Sequence, residues 1–318
     1  MAKSSWPNHK VIGYYGIDEA KYMGPSAVPW NLLTHVCFAF ASIGSDYSVN
    51  ITYGQSLMST VFSTAIANGV KPILSIGGWG YGSSMYSEMV SSNQSRALFI
   101  ESLKVVVNEY NITGVDLDWE YPGRPSDESV PYNETTDVPN FLILLDELRT
   151  AFGNNLTLSA AVAATTPFSD DVTGFAELFD WVGLMMYDFA AGTLNYTTSN
   201  TPLRGDVSAE SGVAAWYEAG LPKSKMVFGI PSYGRSFNLT NVSTFSDLLI
   251  LAQFSHERRI GESMLRNKTR GRFRSISWNR GLEMAQSRLT GSHCRQYYCR
   301  CWSLCRWRRM ATKIRLRY

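Results

Sequence analysis

Asp116, Asp118 and Glu120, in the segment Gly114-Val-Asp-Leu-Asp-Trp-Glu-Tyr-Pro-Gly123, are the residues whose types and spacing could do chemistry. If the segment is a strand, alternate side chains share a face and stand roughly 6.6 Å apart. Like-charged groups lined up in an interior cannot all ionise cheaply, so at least one is expected to hold a proton near neutral pH. A proton-bearing carboxyl is what general acid catalysis needs. The bland alternative is an amphipathic strand with a solvated acidic face. Leu117 and Trp119 on the opposite side would then pack against a single helix layer only. Buried unpaired carboxyls are costly unless used.

Such a ladder needs a rigid sheet beneath it. Short apolar, β-rich runs alternate with longer helical patterns up to residue 244, the signature of a parallel sheet built from βα units. Strands are predicted at 11–15, 34–41, 71–76, 114–120, 157–163, 181–187 and 225–230. The run His35-Val-Cys-Phe-Ala-Phe-Ala41 is almost continuously hydrophobic, as expected when both faces of a strand are covered. Helices are predicted at 139–152, with Pro139 in the first turn and Gly153 after the end, and at about 95–110. In the second of these, Phe99, Leu103, Val106, Val107 and Tyr110 recur at helical spacing. The pattern predicts an α/β fold, a (β/α)8 TIM barrel, with no eighth strand recognisable in the C-terminal tail. Barrel active sites lie at the C-terminal ends of the strands, where the acids line up.

With 45% hydrophobic and 18% charged residues, the chain lies far from the composition of disordered proteins. Its net charge of +2 conceals a split. Residues 1–244 carry 12 basic and 23 acidic side chains, whereas 245–318 carry 17 and 4. The expected organisation is therefore a catalytic barrel over 1–244 and an atypical basic tail over 245–318, of the kind a shifted reading frame or mispredicted exon would give. Without an eighth strand, a barrel exposes two sheet edges and would be poorly stable.

The motifs resemble those of the family 18 glycoside hydrolases. The ladder is similar to their DxxDxDxE signature, with Thr113 in the place of the leading Asp, and Ser75-Ile-Gly-Gly78 resembles their SxGG motif. Gly13-Tyr-Tyr15, Phe38-Ala-Phe40, Met185-Met-Tyr-Asp188 and Gly229-Ile-Pro-Ser-Tyr-Gly-Arg-Ser-Phe237 resemble the family's first, second, sixth and seventh strand motifs. Ala190-Ala191 stand where chitinases of this type commonly have His-Gly.

The resemblance implies a chitinase that cleaves β-1,4 linkages between N-acetylglucosamine residues with retention, using the substrate's own acetamido group. Glu120 would be the acid and later the base, Asp118 would orient the acetamido group, Asp116 would hold Asp118 in its protonation state, and Tyr187 would donate to the acetamido oxygen. Tyr14, Phe40, Trp79, Tyr121, Met185, Asp188, Tyr233 and Arg235 match substrate-binding positions. For the aromatics, core packing is as good a reading as a cleft, except that Trp79 follows two glycines at a strand end and points to a loop.

No metal or cofactor is expected. The expected partners are chitin or chitooligosaccharides, with no nucleic acid, no membrane and a monomeric state. A lectin-like or catalytically impaired homologue is the alternative, and the presence of Glu120 weighs against it. In the tail, Cys294, Cys299, Cys301 and Cys305 lack the paired knuckles of common zinc sites, and Trp278, Trp302 and Trp307 match no family motif.

Residues 1–10 lack the apolar core of a signal peptide. Nine N-x-S/T acceptors, at Asn50, Asn93, Asn111, Asn133, Asn155, Asn195, Asn238, Asn241 and Asn267, nonetheless favour an extracellular glycoprotein.

Overall fold

Each of the seven predicted apolar runs forms a strand in the computed structural model. The structure describes residues 9–52, 54–128, 130–190 and 198–235, with the backbone of 275–278, 282–285 and 296–297. The first strands are β1 (Ile12–Gly16), β2 (His35–Ile43), a short β3 (Val49–Asn50) and β4 (Lys71–Gly77). They are followed by β5 (Gly114–Asp118), β6 (Thr157–Ala163), β7 (Trp181–Met185) and β8 (Met226–Phe228). Seven pair in parallel in the order β1-β2-β4-β5-β6-β7-β8, and β3 adds to β2 antiparallel. Helices α1 (Gln55–Ala67), α2 (Tyr86–Val90), α3 (Asn93–Glu109), α4 (Asp137–Phe152), α5 (Thr173–Leu178) and α6 (Ala209–Glu218) lie between the strands in sequence. This is the α/β plan of a TIM barrel. Among the described residues the sheet has no eighth parallel strand.

The chain divides into two units, Met1–Met186 with Leu203–Gly229 and Tyr187–Pro202 with Ile230–Tyr318. In the second unit, β9 (Gly234–Arg235) pairs antiparallel with β12 (Gln296–Tyr297), and β10 (Ser275–Trp278) pairs with β11 (Leu282–Ala285). The tail cysteines, Trp302 and Trp307 lie outside the described residues, as does most of 245–318.

Alternation along the first unit's strands separates two environments. On one face, Cys37, Ile73 and Trp181 form an apolar cluster with Ile12 and Val227 packed against it. Two residues further along β4, the same face carries Ser75, in register with Asp116 of β5 and, through it, Ser159 of β6. The polar groups thus sit one step nearer the strands' C-terminal ends than the apolar cluster. On the other face, Leu117 and Trp119 are fully buried. Trp119 stacks on Tyr86 of α2 at 5.1 Å and meets Phe141 of α4 edge-on at 5.4 Å. These contacts hold the chain directly between Asp118 and Glu120.

The helices follow their sequence signals with small shifts at the N-terminal ends. α3 starts at Asn93 because Ser92 caps it, exchanging side-chain and backbone hydrogen bonds with Ser95. Phe99, Leu103 and Val106 of its predicted stripe are buried, while Val107 and Tyr110 are half-buried. α4 begins at Asp137, which leaves Pro139 in its first turn, and buries Phe141, Leu144, Leu145 and Leu148. Among the described residues, no helix is long and apolar enough to cross a membrane.

Candidate active site

Asp116 lies in the middle of β5 and is only 1% exposed. Parallel register brings a hydroxyl to it from each neighbouring strand. Ser75 Oγ donates to Oδ2 at 2.7 Å and Ser159 Oγ to Oδ1 at 2.7 Å, while Tyr14 Oη from β1 donates to Oδ2 at 2.9 Å. Burial raises the Asp116 pKa, and the three hydroxyls oppose that shift by favouring the ionised form.

Asp118, the last residue of β5, is 4% exposed. Its carboxyl is held well above the ordinary carboxylate range, first by burial and then by the charges of Glu120 and Asp116. Among the described residues, its buried Oδ1 has no hydrogen-bond partner. Glu120 is 8% exposed and follows the end of the strand by two residues, whereas the sequence predicts a strand through 120. The ladder breaks there because the Glu120 N–H goes to Ser83 Oγ at 2.9 Å rather than to a neighbouring strand. The burial of all three acids removes the reading of a solvated acidic face.

The aromatic positions lie at the surface of the first unit. Tyr14, Phe40 and Trp79 are exposed, Trp79 by 57%. Tyr121 is half-buried and meets Trp79 edge-on, with ring centroids 6.4 Å apart. Arg124 places its guanidinium 4.3 Å from the centre of the Tyr121 ring. Burial, and after it the Glu120 charge, push the Tyr121 hydroxyl above its ordinary value. Met185 ends β7 and is half-buried.

The remaining four predicted residues, Tyr187, Asp188, Tyr233 and Arg235, gather in the second unit. Asp188 adopts a left-handed backbone conformation with φ +62°. Its Oδ1 accepts from Tyr233 Oη at 2.6 Å and from Arg235 Nε at 2.8 Å, and Arg235 Nη2 stands 2.7 Å away. Tyr187 meets the Tyr233 ring edge-on at 6.1 Å.

The family model for glycosyl hydrolases family 18 matches residues 10–292. The chain belongs to this family. A probable endochitinase of Caenorhabditis elegans is 30% identical over 262 residues, covering 73% of this chain and 41% of that protein. A chitinase-like effector of Moniliophthora roreri is 33% identical over 238 residues, covering 69% of this chain and 57% of that protein. The chain thus spans about half the length of these curated relatives, 41% and 57%. Among solved structures, a GH18 chitinase from Cycas revoluta in complex with (GlcNAc)3 superposes with a TM-score of 0.64 at 28% identity, covering 72% of this chain and 70% of that one.

Against the family's signature, Thr113 replaces a carboxyl with a hydroxyl that donates to the Pro72 carbonyl at 2.9 Å, which ties β5 to β4 below the acids. Asp116 has its own hydroxyl partners. Ala190, at the second departure, is buried, and Ala191 lies outside the described residues.

Sequence reasoning passed over two groups that brace the acidic segment. Ser159 is a lone hydroxyl in the apolar run Thr157-Leu-Ser-Ala-Ala-Val-Ala163, and a polar residue inside a covered strand was the available signal. Asp137, at the start of α4, is 1% exposed and accepts from Ser87 Oγ at 2.6 Å, the Gly123 N–H at 3.2 Å and the Asn133 N–H at 2.8 Å. It thereby ties down the loop after the acid. Nothing in the local sequence distinguishes it from an ordinary acidic residue in a helix's first turn.

Proposed function

We propose that this chain is a chitinase that hydrolyses β-1,4 linkages between N-acetylglucosamine residues with retention and substrate assistance. The observation that carries the reading is that Asp118 and Glu120 stand two residues apart at the end of β5, both buried, with the Asp118 pKa raised well above the usual carboxylate range by burial and by the neighbouring charges. Both carboxyls come from one segment and approach from one side. The substrate's own acetamido oxygen then supplies the nucleophile, the route open to this class of glycosidase.

In the first half-reaction Glu120 gives its proton to the glycosidic oxygen as that bond to C1 breaks, while the acetamido oxygen bonds to C1 to form an oxazolinium. Asp118 Oδ1, which has no hydrogen-bond partner among the described residues, is the acceptor that can take the acetamido N–H and stabilise the positive charge as Asp118 ionises. In the second, water adds to C1, the ring opens to restore the acetamido group, and the Glu120 carboxylate takes the water's proton. Asp116, fixed by three hydroxyls, sets the electrostatic setting of Asp118. Tyr14, Phe40, Trp79 and Tyr121 supply ring faces and edges for sugar units. The (GlcNAc)3 bound by the Cycas revoluta enzyme supports chitooligosaccharides as the substrate class.

An extracellular, glycosylated form is part of this proposal. It is supported by the nine acceptor motifs, of which Asn93, Asn111, Asn133 and Asn155 are exposed.

The test is product analysis on a defined N-acetylglucosamine oligomer, comparing the chain with Glu120→Gln. Turnover by the parent, with β-anomeric product and loss in the variant, is the expected result. Tight oligosaccharide binding by the parent with no turnover would overturn the hydrolase in favour of a lectin-like protein.

A further inference from the structure

The main chain of Glu120 is held from both sides by serine hydroxyls rather than by the sheet. Its N–H donates to Ser83 Oγ at 2.9 Å, and its carbonyl accepts from Ser126 Oγ at 2.6 Å. Ser83 is 0% exposed and ends the 3-10 turn Gly80–Ser83 that follows β4. Its own proton goes to the Gly78 carbonyl at 2.8 Å, with the Asp118 carbonyl 3.3 Å away. One hydroxyl thus joins the end of β4, the end of β5 and the backbone of the acid.

The turn reaches this position only because two glycines permit it. A Cβ on Gly77, where φ is +110°, would collide with the Asp118 carbonyl oxygen, and a Cβ on Gly82 with that of Gly77. Ser126, itself half-buried, reaches the carbonyl from the loop that follows Glu120. β5 ends at Asp118, so without these hydroxyls nothing in the ladder would fix the main chain of Glu120.

We infer that Ser83 and Ser126 are positioning residues for the reaction, a two-sided clamp that sets where the Glu120 carboxyl meets the glycosidic oxygen. The inference rests on the hydrolase reading for its kinetic consequence, but the geometry stands apart from it. A shift of about 1 Å in a reacting group can cost roughly 100-fold in rate without weakening substrate binding to match. Simple satisfaction of buried polar groups would instead affect stability and leave turnover intact.

The experiment compares Ser83→Ala, Ser126→Ala and Ser126→Thr on an N-acetylglucosamine oligomer, with amide hydrogen exchange at Glu120 measured in each. The alanine variants are expected to lower kcat by roughly 10- to 100-fold while KM stays within about twofold, and Ser126→Thr, which keeps the hydroxyl, to restore most of the loss. Exchange of the Glu120 amide should accelerate at least about tenfold in Ser83→Ala, with Leu117 unchanged. Unchanged kcat in a folded alanine variant, or a threonine variant no better than alanine, overturns the clamp. If Ser83→Ala does not fold, the Ser126 pair decides. A parent chain without turnover sinks the hydrolase reading alone, and the exchange measurement then decides the clamp.

Discussion

Asp116 and Asp118 lie inside the first unit against hydroxyls and other carboxyls, whereas Asp188 in the second unit meets a guanidinium and a phenol. Among the described residues the first arrangement brings no opposite charge to either carboxyl, so burial pushes both pKa values up. The second joins Asp188 to Arg235 with side chains 37% and 19% exposed, so solvent screens the pair and its worth is mainly geometric. It pins Asp188 in its left-handed conformation, which Asp tolerates better than most residues. The neighbours of a carboxyl therefore decide its electrostatics: hydroxyls and other carboxyls in the first unit, a guanidinium in the second.

Neutralising the third acid of the ladder should have the largest effect. Glu120→Gln is expected to lower kcat by roughly 100- to 10,000-fold, the range of a general acid, with oligosaccharide binding retained in calorimetry.

Asp118→Asn should come next in activity, with a loss of about 100-fold or more, and it also tests the electrostatics through stability. A carboxyl with a folded pKa above its unfolded value takes up protons on folding, so its contribution is complete below the unfolded pKa and is lost as pH rises through the folded value. Asp118 is such a group. Melting temperatures measured from pH 3 to pH 9 should show no advantage for Asp118→Asn at the acid end and a growing advantage toward neutrality. An advantage confined to low pH would contradict the raised pKa.

Trp79→Ala sharpens the distinction between cleft and core. The side chain is 57% exposed, so the expected stability change is within about 0.5 kcal/mol. KM for a chitooligosaccharide should rise roughly 2- to 10-fold, the equivalent of about 0.5–1.5 kcal/mol of aromatic contact. A large drop in melting temperature would show the ring packing in the core instead.

The smallest effect is expected from Arg235→Ala. Loss of a partly exposed ion pair should cost about 1 kcal/mol or less and shrink further in high salt. Urea denaturation at two ionic strengths measures it, and a salt-independent loss of several kcal/mol would show that Asp188 behaves like the buried acids after all.

Most strands were legible because their signal is local. Lys71–Gly77 and Thr157–Ala163 are apolar runs bounded by polar residues, and the structure reproduces them almost to the residue. The prediction ran too far at 114–120, where the pattern of alternation continues but the hydrogen bonding stops at Asp118. Alternation describes side-chain direction, and no property of the segment itself reveals that a serine from another loop has replaced the ladder partner. The helix starts at Asn93 and Asp137 were misplaced by two residues for a similar reason: the cap or loop that fixes each beginning lies before the amphipathic stripe.

By itself the sequence determined the spacing of Asp116, Asp118 and Glu120, the order of the strands and motifs that carry them, and thereby the family. These follow from short periods and fixed offsets along one chain. Tertiary structure alone decided what each acid touches. Ser75, Ser159 and Tyr14 reach Asp116 across separations of 41, 43 and 102 residues, and Ser83 reaches the Glu120 amide across 37. Those meetings depend on parallel register and close packing between strands, so the proton affinity and aim of the acids belong to the fold rather than to the motif.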